Sequence, residues 1–187
     1  MTTDRHTLEP ASAWVLRFAP LIASDGAVLD VACGTGRHAR WFLDRGHHVV
    51  AVDRYNAGIV DLLGRADFEF VDADLEDGGP WPLGDRRFAS VVVTNYLHRP
   101  LIPVLIEALA PGGVLIYETF ASGNERFGRP RNPDFLLRPG ELLAAVEDRL
   151  QVVDFEHGEV AEPRPAMVQR IAAVNDHAVA GGSRRGA

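Results

Sequence analysis

The sequence predicts an α/β fold, a mostly parallel sheet with helices on both faces. Two stretches carry that expectation. Residues 27–53, AVLDVACGTGRHARWFLDRGHHVVAVD, read as strand, glycine turn, helix and second strand, the unit from which parallel sheets are built. Residues 88–94, FASVVVT, form a continuous apolar and β-branched run of the kind buried at a sheet centre.

The elements follow in order. Residues 10–23 read as a first helix, with Pro10 in the opening turn and Trp14 and Phe18 stacked four apart. AVLDVA, residues 27–32, reads as a buried strand interrupted only by Asp30, and Gly34 and Gly36 let the chain turn sharply into a helix from Arg37 to Arg45. Ala39, Phe42 and Leu43 share one face of that helix, and Gly46 is placed to cap it. His48 to Val52 is the second strand. Asn56 to Leu63 reads as a short helix with Ile59, Leu62 and Leu63 inward, and Asp67 to Asp72 as the third strand. EDGGPWPLGDRR, residues 76–87, has no period and is loop, with Trp81 and Leu83 holding it down. After the fourth strand come a helix from Leu101 to Leu109, a Pro111-Gly112-Gly113 turn and a fifth strand from Val114 to Phe120.

Residues 121–137, ASGNERFGRPRNPDFLL, make a long loop with Arg126, Arg129 and Arg131, suited to a lid that admits an anion. Its alternative reading is a loop fastened by Phe127, Phe135 and Leu136. A helix follows, with Leu142, Leu143 and Val146 inward, and then two strands, LQVVDFEHGEV and MVQRIAAVN. Residues 1–177 are expected to form one domain, with a cofactor-binding half over 27–94 and a substrate half over 95–177. Residues 178–187, AVAGGSRRGA, have the composition of a disordered tail.

A composition of 47% apolar and 24% charged residues fits a globular protein, and a net charge of −7 speaks against an extended grip on nucleic acid. Cys33 is the single cysteine, so no internal disulfide forms. No apolar run approaches the roughly 18 residues of a membrane span, and the first ten residues lack a signal-peptide core. A cytoplasmic monomer or homodimer without a metal site is expected.

A glycine turn between a strand and a helix aims backbone N–H groups at the crevice beyond the sheet, a site for a nucleotide or a carboxylate. Asp53, ending the second strand, is placed to accept both hydroxyls of an unphosphorylated ribose. Gly34, Gly36 and Ala39 also satisfy the G-x-G-x-x-A dinucleotide fingerprint, so an NAD-binding oxidoreductase stays open. Asp30 weighs against it. A carboxylate near the end of a buried strand needs a partner, and a ligand ammonium is one that NAD does not offer.

VLDVACGTGRHA followed by AVD resembles the first two motifs of the class I S-adenosylmethionine-dependent methyltransferases. FVDADLED, residues 70–77, resembles their adenine-binding motif, and LAPGGVLIYETF, residues 109–120, their Pro-Gly-Gly entry to the fifth strand. The resemblance implies the Rossmann-like fold of that class, seven strands with an antiparallel closing strand, and S-adenosylmethionine as cofactor, with S-adenosylhomocysteine as product. It places Asp30 at the amino end of the methionine, Gly34 and Gly36 in the cofactor loop, Asp53 on the ribose, and Asp74 and Leu75 at the adenine. Ala32, Cys33, Arg37, Arg54 and Asn95 complete the implied cofactor set. Tyr96 and His98 fall where the reacting methyl group lies, and Glu118 ends the fifth strand beside them. His98 or Glu118 is the candidate base for an oxygen or nitrogen acceptor. A soft chalcogen or a thiolate needs none.

In the closing half, the C-G-x-G-R loop, Phe135 to Leu142 and Glu156 to Glu159 are similar to the tellurite-resistance methyltransferases and their small bacterial relatives. The expected reaction is direct methyl displacement onto a small-molecule acceptor such as a thiol, a chalcogen oxyanion or another small anion. The alternatives are a methyltransferase acting on RNA or protein, the oxidoreductase, and a cofactor-binding protein without turnover.

Overall fold

The computed structural model describes residues 9–176. Seven strands form one sheet: β1 (Val28–Val31), β2 (Val49–Asp53), β3 (Phe68–Asp72), β4 (Phe88–Thr94), β5 (Leu109–Phe120), β6 (Gln151–Val160) and β7 (Ala166–Val174). Their spatial order is β3-β2-β1-β4-β5-β7-β6, with β7 antiparallel to both neighbours and all other pairs parallel. The order reverses between β1 and β4, which makes that point the crevice where ligands of open α/β sheets bind. The expected sheet and its antiparallel closing strand are both present.

Four short helices, α1 (Ala13–Phe18), α2 (Arg37–Leu43), α3 (Ile102–Glu107) and α4 (Glu141–Val146), cover the two faces. Trp14, Val15 and Phe18 of α1 and Ala39, Phe42 and Leu43 of α2 pack with Val28, Val92 and Ile116 on one face. Leu105 of α3 and Leu142 and Val146 of α4 pack with Leu29, Val91 and Leu115 on the other. Alternate residues of each central strand thus feed opposite cores, which is why these strands read as unbroken apolar runs. The Trp14 and Phe18 rings meet at 4.6 Å.

Several boundaries differ from the sequence expectation. The first helix begins at Ala13 because the Ser12 hydroxyl accepts the Trp14 N–H and caps it there. Residues 56–63 make only a 3-10 turn, Val60–Leu62; Ile59 and Leu62 are buried, but Leu63 points to solvent. The fifth strand starts at Leu109, and residues 110–113 bulge before regular pairing resumes at Val114. Leu143, Phe127 and Phe135 are exposed, so Leu136 and Leu137 hold the long loop.

That loop is fastened along its length. Buried Asn124 donates to the Pro130 carbonyl and accepts the Met167 N–H, while Arg99 holds Glu141 and donates to the carbonyls of Asp134 and Leu136. Among the described residues no helix is long and apolar enough to cross a membrane. The expected tail, 178–187, lies outside the described residues.

Candidate cofactor site at the strand switch point

A cavity of about 470 Å³ opens beyond the carboxyl ends of β1, β2 and β3. Of the residues expected at a cofactor, Ala32, Gly34, Asp53, Arg54, Asp74 and Leu75 line it. Thr35, Tyr55, Gly58, Ala73 and Glu76 line it as well, and the sequence reading did not single them out.

The glycine loop and the end of β2 are tied together. Asp53 Oδ2 accepts the Gly34 N–H at 2.8 Å and Oδ1 accepts the Tyr55 N–H at 3.0 Å. One carboxylate therefore shapes two walls of the cavity and retains lone pairs for a ligand's hydroxyls. Gly36 has φ +70°, and a Cβ on it would lie 2.6 Å from Ile59 Cγ2. Gly58 is needed for a different reason, since its Cβ would lie 2.7 Å from the Thr35 Cα. That close approach accounts for the irregular path of residues 56–63. Nothing lies within 4 Å of a Cβ built on Gly34, so the loop presents open space to the cavity there.

The two strands flanking the switch point leave the sheet in the same way. Ala32 follows β1 with φ 52° and Asn95 follows β4 with φ 56°, a left-handed conformation that costs an alanine about 1–2 kcal/mol. Strain of that kind concentrates at functional sites. Asn95 is itself exposed, and its N–H donates to the Glu118 carbonyl.

Asp30 and Cys33 lie behind the loop. Asp30 is 2% exposed, its Oδ2 accepts the Ala39 N–H at 3.0 Å, and burial raises its pKa from 3.8 to about 7. Burial, with Asp30 and Asp53 nearby, pushes the Cys33 thiol far up, so it packs as a protonated side chain and is no nucleophile. Arg37 donates to the Thr94 hydroxyl at the end of β4 and holds Glu9.

Tyr96 lines the cavity beside Glu76 and Asp74. Its hydroxyl is buried without a hydrogen-bond partner of good geometry, and burial, then the Glu76 charge, raises its pKa. Tyr96→Phe is expected to weaken S-adenosylhomocysteine binding by about 1 kcal/mol, close to fivefold in calorimetry. An unchanged affinity would place the hydroxyl outside the ligand's reach.

His98 is half-buried outside the cavity lining, and its side chain makes no hydrogen bond or ion pair among the described residues. Glu118 is engaged on both oxygens, by the Ser12 hydroxyl at 2.7 Å and by Arg170 at 3.2 Å. Of the three residues expected near the reacting methyl group, Tyr96 thus sits at the cavity and Glu118 in an ion pair.

An α/β sheet of this order, with a glycine loop tied to an acidic strand end at its switch point, has the Rossmann-like fold found in class I S-adenosylmethionine-dependent methyltransferases. Residues 28–113, from β1 into the bulge of β5, match the family model described as a methyltransferase domain. Solved structures share the fold. TehB from Haemophilus influenzae superposes with a TM-score of 0.69 at 18% identity over 86% of this chain and 61% of that one. The present chain thus spans about three fifths of TehB.

The 1,6-didemethyltoxoflavin-N1-methyltransferase of Burkholderia thailandensis, solved with S-adenosylhomocysteine, gives 0.63 at 21% identity over 87% of this chain and 76% of that one. The glycopeptide N-methyltransferase MtfA, also solved with S-adenosylhomocysteine, gives 0.62 at 20% identity over 90% and 91%. No curated protein matches the chain in sequence.

Proposed function

We propose that this chain transfers a methyl group from S-adenosylmethionine to a small-molecule acceptor by direct displacement. The observation that carries this reading is the cavity at the switch point, where Asp53 is bonded to the glycine loop and Asp74 and Leu75 form the far wall. Asp53 would hold the ribose, Asp74 and Tyr96 the adenine, and Asp30 the methionine ammonium. The cofactor, when bound, supplies a sulfonium methyl that is already a strong electrophile. The residues around it then align the acceptor and exclude water.

The acceptor side supports a nucleophile that needs no base. Glu118 has both oxygens engaged, and no side chain orients His98. An anionic acceptor draws less support than the arginine count suggested. Arg126 pairs with Glu159, and Arg99 is spent on Glu141 and two carbonyls, leaving Arg129 and Arg131 at the surface. Small thiols are therefore the first acceptors to test. The net charge of −7 favours a small acceptor over nucleic acid.

Titration calorimetry with S-adenosylhomocysteine, and NADH as the paired control, tests the reading. Micromolar binding of S-adenosylhomocysteine alone is expected, and binding of NADH alone would overturn it. His98→Ala is expected to leave that affinity within about twofold. A tenfold loss would move His98 from the acceptor side to the cofactor.

A further inference from the structure

Polar groups that methyl transfer leaves unused converge on the segment ahead of α1. Arg37 opens α2, directly after the glycine loop. Its Nη1 donates to the Glu9 carboxylate at 3.2 Å and to the Pro10 carbonyl at 3.4 Å, and its Nη2 to the Thr94 hydroxyl at 3.4 Å. The next residue, His38, is 2% exposed, and its Nε2 accepts the Ser12 N–H at 3.1 Å. Burial holds the imidazole neutral, with a pKa of about 3, so it remains an acceptor.

Ser12 works in three directions. Its N–H goes to His38, its hydroxyl oxygen accepts the Trp14 N–H at 3.1 Å, and its hydroxyl proton goes to Glu118 Oε1 at 2.7 Å. The other Glu118 oxygen takes Arg170. A helix cap requires only the second of these contacts. The other two join the helix of the glycine loop to the end of β5, past the end of β4 where Arg37 meets Thr94. Glu9 and Pro10 are exposed, whereas Trp14, Val15 and Phe18 are buried.

We propose that residues 9–12 are a strap across the methyl-donor end of the crevice, and that Ser12 is the positioning residue that latches it to both α2 and Glu118. What lies beneath the strap rests on the methyltransferase reading. The latch itself rests on the hydrogen bonds. It makes closure over the donor and the orientation of Glu118 one event, because one residue serves both, its N–H bonding His38 and its hydroxyl bonding Glu118.

Three variants separate the latch from a simple cap. Ser12→Asp keeps an acceptor for the Trp14 N–H but sets a carboxylate against Glu118; Ser12→Ala removes both roles; Ser12→Thr keeps both. Amide hydrogen exchange on the cofactor-free protein and stopped-flow release of S-adenosylhomocysteine are the readouts. Ser12→Asp and Ser12→Ala are expected to exchange the amides of residues 9, 11 and 12 and release the ligand about tenfold faster, with the thermal midpoint of Ser12→Asp, which keeps the cap, near that of the native protein. Ser12→Thr is expected to match the native protein. Native rates in Ser12→Asp would reduce Ser12 to a cap and overturn the proposal. If the native protein fails to bind S-adenosylhomocysteine, the methyltransferase reading falls, and the exchange comparison still decides the latch.

Discussion

Replacing Asp53 by alanine is expected, on the proposed function, to lower the affinity for S-adenosylhomocysteine by about 2–4 kcal/mol, roughly 30- to 1,000-fold. Two losses add to give so large an effect. The first is direct, because a carboxylate accepting two ribose hydroxyls makes charge-assisted bonds, each stronger than a neutral pair. The second is structural, because Asp53 also fixes the Gly34 and Tyr55 N–H groups, so its removal frees the glycine loop that forms the opposite wall. Asp53→Asn separates them. The amide keeps one acceptor for the Gly34 N–H and loses the charge, so its affinity should fall between native and alanine forms. Calorimetry on the three proteins reads the order directly, and an alanine variant binding like the native protein would remove Asp53 from the site.

The legible part of this fold was the part where local and tertiary demands coincide. β4 falls at Phe88–Thr94 as its apolar run indicates, and α2 begins at Arg37, where the glycine turn releases the chain. Both are short-range signals in a sheet buried on both faces. Residues 56–63 misled for a tertiary reason: their apolar spacing suits a helix, but Gly58 must touch Thr35, and that contact is invisible in the local pattern. Leu143, Phe127 and Phe135 misled because an apolar residue at the right spacing need not find a neighbour.

At the site, Asp53 and Asp74 line the cavity because each stands where a strand has just brought the chain to it. Ser12 and His38 were not legible in the sequence. Their meaning arises from a hydrogen bond spanning 26 residues, and nothing in either residue's surroundings announces it. A serine just before an apolar helix does signal a cap, and that much was available.

The largest stability effect is expected at Asp30, as a difference between two curves. In the folded chain its pKa stands at about 7 against an ordinary 3.8, because burial disfavours the charged form more than the Ala39 N–H and Arg37 favour it. A group whose folded pKa is raised lends its stability fully below the unfolded value and withdraws it as pH climbs through the folded value. The cofactor-free protein should thus lose stability from this group between pH 4 and about 7, by about 4 kcal/mol at most. His38 acts oppositely. Its pKa falls from 6.5 to about 3, so it adds stability as pH rises over much of the same window, and the native protein's own curve is flattened.

Asp30→Asn isolates the aspartate. The amide oxygen keeps the Ala39 N–H, His38 is untouched, and the variant should become progressively more stable than the native protein as pH rises from 5 to 8 in denaturant unfolding. At pH 8 the same variant should bind S-adenosylhomocysteine at least about tenfold more weakly, because the ligand's ammonium loses the anion that partners it. A ligand that requires the ionised carboxylate also drives off its proton below pH 7. Calorimetry in two buffers of different ionisation enthalpy should register that proton for the native protein and not for Asp30→Asn. Parallel stability curves for the two proteins from pH 5 to 8 would mean that Asp30 is ionised throughout, with a partner inside the fold that takes the place assigned to the ligand.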